Sequence, residues 1–379
     1  MATSKDARYR DGGRPGAADA LSPRERLLAW ATGKPVDRLP FVLHWGPWGE
    51  THRLWKTQGM QRDDDWYALF DFDPFFVDTG VQFGICPAFP EQVLADEGET
   101  VVVRDAHGVV KRDRKDGASI PAFLEYPVTD RRSWEAHRWR FDPATPGRFP
   151  ADWGERARRL RGSDVAVVVG VYPYGFLGGP RTMMGAEACL VACALAPDLI
   201  EDINRTLADL WFALWSRVFE ETRVDAVLFW EDMAGKQGSL ISPAMFRRFM
   251  TPHYRRLTDL ARRHGVQLLT VDSDGRMDEL SGLFLEAGVN NVHPYEVQAG
   301  NDIPALLRKH ADLYAMGGMD KRAMVAGRAS VDAEIERVRA MLPLKRYLPF
   351  PDHLIPPDVP WEHYQYFVWC WKEMIGKKT

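Results

Sequence analysis

The chain is poor in cysteine, carries no excess of either charge and contains no long apolar run. Four cysteines in 379 residues, Cys86, Cys189, Cys193 and Cys370, are too few and too scattered for a disulfide framework, which predicts a reducing, cytoplasmic setting. Cys189 and Cys193 lie four apart among alanines and leucines, the pattern of a small-residue core face on a helix. Forty-nine Lys and Arg against 53 Asp and Glu give a net charge of −4, which argues against a nucleic-acid or anionic-lipid surface. The most apolar window, Met183–Ala196, is interrupted by Glu187 and is too short to span a bilayer. Residues 1–20 carry Lys5, Asp6, Arg8, Arg10 and several glycines, which predicts a flexible tail and no signal peptide. No Gly-x-Gly-x-x-Gly follows any apolar run, so a dinucleotide-binding open sheet is disfavoured.

What the chain has is a rhythm. Ser22-Pro23-Arg24-Glu25 reads as a capping box opening a helix that Gly33 stops. Eight apolar runs then end on polar residues: Arg38–Gly46, Pro74–Asp78, Asp164–Gly170, Asp225–Asp232, Val266–Asp274, Asn290–Glu296, Asp312–Asp320 and Arg346–His353. Continuous apolar runs suit strands buried on both faces. Helical segments over Pro197–Arg223, Ser242 to His264, Asp278–Gly288, Ile303–His310 and Val331–Leu342 separate the later ones. Eight strand–helix units predict an α/β fold, a (β/α)₈ TIM-type barrel, with an open doubly wound sheet as the alternative. Glu91–Pro127 breaks the rhythm with short alternating stretches around Asp105–Gly108, and is expected as a β-hairpin inserted into one domain over 21–379.

Barrels of this kind place chemistry at the C-terminal strand ends. Those ends carry His44, Asp78, Tyr172, Tyr174, Glu231, Asp232, Asp272, Asp274, His293, Glu296, Asp320, Lys321, Asp352 and His353. Any one of them alone is commonly a cap or a solvated loop residue; clustered acids at one rim raise each other's pKa and call for a cation, a proton or a substrate. Asp272-Ser273-Asp274-Gly275 is the sharpest pattern: residues two apart on a strand end converge on one point, although Asp274 also suits a helix cap. Two carboxylates with an imidazole suit Zn²⁺, Fe²⁺ or Mn²⁺. Glu231-Asp232 offers an acid pair of which one member faces the pocket, His293 and Glu296 an acid/base pair, and Arg181 and Arg276 bidentate grips for a substrate carboxylate.

Six stretches carry a resemblance: Gly33-Lys-Pro-Val-Asp-Arg-Leu-Pro-Phe41, Gly178-Gly-Pro-Arg-Thr182, Glu231-Asp-Met-Ala-Gly235, Ser242-Pro-Ala-Met-Phe-Arg-Arg-Phe-Met250, Gly317-Gly-Met-Asp-Lys321 and Ile355-Pro-Pro-Asp-Val-Pro360. Over roughly 22–375 the chain resembles the uroporphyrinogen decarboxylase superfamily, which also contains corrinoid-dependent methyltransferases. The resemblance implies a (β/α)₈ barrel and matches Asp78 to the decarboxylases' essential aspartate and Asp232 to their pocket serine. Where those decarboxylases carry a basic motif that grips substrate carboxylates, this chain has His44-Trp45-Gly46-Pro47-Trp48. Where the zinc methyltransferases carry His-x-Cys-Gly and Gly-Cys, it has Asp272-x-Asp274-Gly275 and Asp352-His353, a harder donor set.

The function expected on this basis is methyl transfer or O-demethylation of a small, methoxylated aromatic substrate. Trp45, Trp48, Tyr172, Tyr174 and Trp230 would surround the substrate, with His44, Arg181, Arg276 and Glu296 also binding it. A metal on Asp272, Asp274 and His353 would polarise its oxygen, Glu231 or His293 would move the proton, and a corrinoid would come on a partner protein. A second copy of the chain is a further candidate partner. The alternatives are a cofactor-free decarboxylase of a carboxylated pyrrole or aromatic acid, using Asp78, and a non-catalytic tetrapyrrole-binding relative.

Overall fold

The computed structural model describes residues 20–61, 66–117, 120–170 and 172–377, so the expected tail lies almost wholly outside the described residues. In chain order the strands are β1 (Phe76–Asp78), β2 (Gln92–Asp96), β3 (Thr100–Arg104), β4 (Val110–Arg114), β5 (Ala122–Glu125), β6 (Ala166–Gly170), β7 (Ala226–Trp230), β8 (Ala234–Gly235), β9 (Gly238–Ser239), β10 (Leu268–Asp272), β11 (Asn291–His293), β12 (Tyr314–Met319) and β13 (Tyr347–Pro351). One all-parallel curled sheet runs β1-β6-β7-β10-β11-β12-β13. Every residue of β6, β10 and β13 is buried, which is why these strands read as unbroken apolar runs. The fold is a TIM-type barrel.

The first expected strand forms no ladder. Residues 39–46 instead tie the two edges of the sheet together: the Phe41 carbonyl accepts the Asp73 N–H (2.8 Å) just before β1, and the Gly46 carbonyl accepts the Ile355 N–H (3.2 Å) just after β13. Pro40 has no N–H to contribute to a ladder. Phe41, Val42 and Leu43 are nevertheless buried, so the segment fills the eighth position of the barrel by packing. The helix expected from Ser242 to His264 is two helices, Pro243–Phe249 and Thr251–Arg263. Pro252 cannot donate back to the preceding turn, and the chain breaks at Met250. The capping box at Ser22 forms as expected and opens the helix Pro23–Ala31.

The insertion is larger than a hairpin. β3 and β4 are the expected pair, and β2 and β5 flank them in a four-stranded antiparallel sheet. The Asp105 carboxylate accepts the N–H groups of His107 and Val109 to hold the β3–β4 turn. Cys189 and Cys193 are buried on the helix Ala186–Leu195, and none of the four cysteines is bridged.

At the barrel end where strands begin, buried charges are paired. Asp73, 5% exposed, accepts two bonds from Arg38 (2.7 Å each) and lies 3.5 Å from both Arg26 and Lys377. Arg26 also grips Asp37 (2.8 Å). Burial alone would raise the Asp73 pKa, but the Arg38 hydrogen bonds and the Lys377 and Arg38 charges outweigh it and hold the carboxyl below its usual range.

Candidate active site

Register builds the site. Along β7, β10 and β11, Trp230 pairs with Asp272 and Asp272 with His293, so three side chains from consecutive strands share one rung at the strand ends. Residues two back along a strand face the same way, and Thr270 pairs with Asn291 one layer deeper. Past the strand ends the loops continue the ladder: the Glu231 N–H donates to the Asp272 carbonyl and the Ser273 N–H to the His293 carbonyl, each at 2.9 Å. From the closing segment His44 reaches in, its Nε2 3.7 Å from Asp272 Oδ2 and its ring centroid 4.8 Å from that of His293. One imidazole nitrogen from each histidine and one Asp272 oxygen all lie within 4.8 Å of one another. Phe75 and Phe350 frame the His44 ring.

The protonation state of His293 follows from counting hydrogens. Asn291 Nδ2 donates to the Tyr314 carbonyl, which leaves its Oδ1 to accept the Thr270 hydroxyl at 2.5 Å. With its only hydrogen spent, Thr270 Oγ1 can only accept from His293 Nδ1, 2.9 Å away. His293 Nε2 is therefore a bare lone pair, and it is buried without a hydrogen-bond partner among the described residues. Such a group costs roughly 1–3 kcal/mol unless something fills it. Complete burial, with the neighbouring His44, pushes the His293 pKa well below the ordinary histidine value. Burial also raises the Asp272 pKa, opposed chiefly by His44.

Beside this trio stands a second pair, His353 Nε2 3.3 Å from Asp274 Oδ2, with the His353 ring stacked on Trp45 at 5.4 Å. Burial lowers the His353 pKa, but Asp274 outweighs it and the net shift is upward. Farther round the rim Lys321 lies 3.5 Å from Glu296 and 4.0 Å from Asp352. Burial pushes the Asp352 pKa up to about 6, against the Lys321 charge and two backbone N–H donors. On the other side Arg181 binds Asp232 and lies 5.5 Å over the Trp230 ring, which Tyr172 meets edge-on at 4.6 Å. Asp232 holds φ +47°, a left-handed backbone that non-glycine residues adopt at a cost.

The uroporphyrinogen decarboxylase family model matches residues 169–374. The chain belongs to that family. A curated relative, uroporphyrinogen decarboxylase of Sphingopyxis alaskensis, is 27% identical over 205 residues, 51% of this chain and 58% of its own length. The matched region thus spans less than two thirds of that relative. Among solved structures, a methyltransferase from Methanosarcina mazei superposes with a TM-score of 0.58 over 93% of this chain and 99% of its own, at 16% identity. That likeness shows the shared barrel.

In this uroporphyrinogen decarboxylase family barrel, most of the expected rim residues gather at one mouth, in altered groupings. Asp272, Asp274 and His353, expected as one metal set, divide: Asp274 and His353 hold each other, while Asp272 faces His44 and His293. Glu231, expected to move protons, points into the wall. Its carboxylate accepts the N–H groups of Phe176, Leu177 and Gly178 and the Tyr254 hydroxyl, and it is fully buried. Burial raises its pKa and those four donors oppose the rise. A Cβ at Gly175 or Gly178 would strike the Trp230 carbonyl oxygen, so these glycines let the turn close over Glu231. Arg276 is exposed and paired with Asp278 (2.6 Å). Glu296 accepts the Gly275 N–H and so fixes the loop after β10.

Asp78 ends β1, exposed to solvent yet crowded enough that desolvation raises its pKa, and its charge in turn helps burial push the Tyr174 phenol up to about 12. Thr270 and Asn291, which orient His293, were missed as site residues. The signal was present: each lies two positions before a rim residue on its own strand.

Proposed function

We propose that this member of the uroporphyrinogen decarboxylase family transfers the methyl group of a small methoxylated aromatic to a corrinoid acceptor carried by a partner protein, assisted by a divalent metal at the barrel mouth. The observation that carries this reading is the bare, buried His293 lone pair beside the Asp272 carboxylate, facing His44 beneath aromatic side chains. Imidazole nitrogen and carboxylate oxygen suit Zn²⁺, Fe²⁺ or Mn²⁺, and an unfilled buried acceptor fits an ion better than it fits a closed core. Bound there, such an ion supplies Lewis acidity toward an ether or phenolate oxygen.

The remaining work falls to the chain. Tyr172 and Trp230, braced by Arg181, present aromatic surface to a ring edge or face, and Trp45 closes the other side over His353. A corrinoid on the partner protein would supply the electron pair that takes the methyl group as a cation equivalent, and the C–O electrons would stay on the substrate oxygen. His353, hydrogen-bonded to Asp274, holds the proton that converts the resulting phenolate into phenol. The test is methyl transfer to cob(I)alamin from a panel of methoxybenzoates, read as formation of the methyl–cobalt absorption. Transfer from at least one member is expected, and none from any member overturns the reading.

A second reading, cofactor-free decarboxylation, is favoured by the accessible Asp78 within electrostatic reach of Tyr174. Against it, Arg181 and Arg276 are already engaged by Asp232 and Asp278, leaving neither free to grip a substrate carboxylate. Release of CO₂ from a carboxylated pyrrole would support it.

A further inference from the structure

We infer that the metal of this mouth is held by His44, Asp272 and His293, a two-histidine, one-carboxylate face contributed by the closing segment, β10 and β11, and that Asp274 and His353 are not ligands. The inference rests on the metal-assisted reading above and names the site within it.

Three independent observations converge. The first is the hydrogen count on Thr270 and Asn291, which fixes His293 as the Nδ1–H tautomer and leaves Nε2 the only group of that buried ring able to bind anything. A ligating histidine anchored through its other nitrogen is the usual second-shell arrangement around metals. The second is that Asp272, among the described residues, has no side-chain partner closer than His44 at 3.7 Å. Two donors bound to one tetrahedral ion at 2.0–2.2 Å stand about 3.3–3.5 Å apart. The observed gap is a few tenths of an ångström wider than that and too long for a hydrogen bond.

The third is that Asp274 and His353 already satisfy each other at 3.3 Å, and the His353 ring lies flat on Trp45. Withdrawing them to bind an ion would break both contacts, whereas the His44–Asp272–His293 set breaks none. No cysteine belongs to the cluster, so its donors are nitrogen and oxygen, a set that suits Zn²⁺, Fe²⁺ or Mn²⁺. Three ligands on one face leave open positions toward the mouth for a substrate oxygen.

The test uses the full chain, stripped with a chelator and titrated with Co²⁺, read by its visible d–d absorption and by calorimetry. One ion per chain is expected, with the band intensity of a nitrogen- and oxygen-ligated centre. Asp272→Asn, His293→Ala and His44→Ala should each weaken binding at least tenfold. The Asp274→Asn/His353→Ala double variant should bind within about threefold of wild type. Thr270→Val, which frees the His293 ring without removing a ligand, should weaken binding by 10- to 100-fold. His44 is partly exposed on a segment without ladder bonds, so its variant keeps the test valid if His293→Ala misfolds; circular dichroism of each apo variant checks the fold. Loss of binding in the double variant with retention in His44→Ala overturns the assignment, as does no stoichiometric Co²⁺ uptake by wild type. Uptake through the three ligands without methyl transfer from any methoxybenzoate leaves the site standing and removes the transferase reading.

Discussion

Replacing Glu231 by Gln separates a structural carboxylate from a catalytic one. In the folded chain Oε1 accepts the Phe176 N–H (2.7 Å) and the Tyr254 hydroxyl, and Oε2 accepts the Leu177 N–H (2.7 Å) and the Gly178 N–H (2.8 Å). A glutamine amide has one oxygen, so its better orientation keeps that oxygen on the Leu177 and Gly178 N–H groups and places the NH₂ where Oε1 was. There the Tyr254 hydroxyl can turn and accept, but the Phe176 N–H is left facing a donor and is orphaned. The three surviving bonds also lose their charged acceptor, and hydrogen bonds to a charged acceptor contribute about 1.5–3 kcal/mol each. Removing a buried charge returns part of its desolvation cost, and the net destabilisation expected is about 2–3 kcal/mol. The assay is urea unfolding followed by tryptophan fluorescence, with Tyr254→Phe as the milder control that removes one donor and should cost about 1–2 kcal/mol. A Glu231→Gln protein within 1 kcal/mol of wild type that had lost turnover would refute this reasoning and return Glu231 to the reacting groups.

Four further outcomes are expected. Asp73→Ala leaves Arg38, Arg26 and Lys377 without their shared buried carboxylate and should cost about 3–5 kcal/mol in the same urea assay. Because Asp73 and Asp37 both have pKa values depressed on folding, the stability they supply is present above the unfolded value near 3.9 and lost as pH falls below it; Asp37→Asn should flatten that acid limb in thermal melts between pH 5 and 3, and an unchanged slope would count against the pairing. Asp352 behaves oppositely: its folded pKa of about 6 lies above the unfolded value, so its contribution is full below about pH 4 and fades as pH rises through 6, and the melting point of Asp352→Asn relative to wild type should climb over that interval. Finally, all four cysteines are buried, so a thiol reagent should label none in the native protein and four in denaturant, and labelling of Cys189 or Cys193 in the native chain would contradict the packing around the helix Ala186–Leu195.

The barrel was legible because six of its seven paired strands, β6, β7, β10, β11, β12 and β13, are buried nearly throughout and have few polar residues to hide. The eighth position was misread for a physical reason: Arg38–Gly46 is as apolar and as buried as a strand, but Pro40 interrupts its run of backbone donors, the Phe41 N–H goes to the Asp73 side chain, and the Phe41 and Gly46 carbonyls are committed to Asp73 and Ile355 outside any ladder. The insertion was seen through β3 and β4, whose β-branched residues flank the Asp105–Gly108 turn, while β2 and β5 are exposed throughout and carry no inward–outward pattern. At the site, the strand-end rule collected residues that the structure gathers at one mouth, and what it could not supply was direction. Glu231 and Asp232 are neighbours, and neighbours at a strand end face opposite ways, so spacing alone does not say which one enters the wall.

The grouping of the metal-capable residues shows the same limit and its remedy. Asp272 and Asp274 share a face by spacing, which made them a pair on paper, yet Asp274 is drawn outward by His353 while Asp272 is held back on the rung it shares with Trp230 and His293. His44 enters only because an unladdered segment closes the barrel beside β13, a contact between the two ends of the chain that no local pattern encodes. Once register is known, the rest follows from counting hydrogens: Tyr314 fixes the Asn291 amide, the amide fixes the Thr270 hydroxyl, and the hydroxyl fixes the His293 tautomer. That chain of single choices runs two residues deep on two adjacent strands and ends in a lone pair with no hydrogen-bond partner among the described residues. A core built only for packing is expected to fill such a place with an apolar side chain, and the oriented imidazole found there is the observation on which the proposed metal site rests.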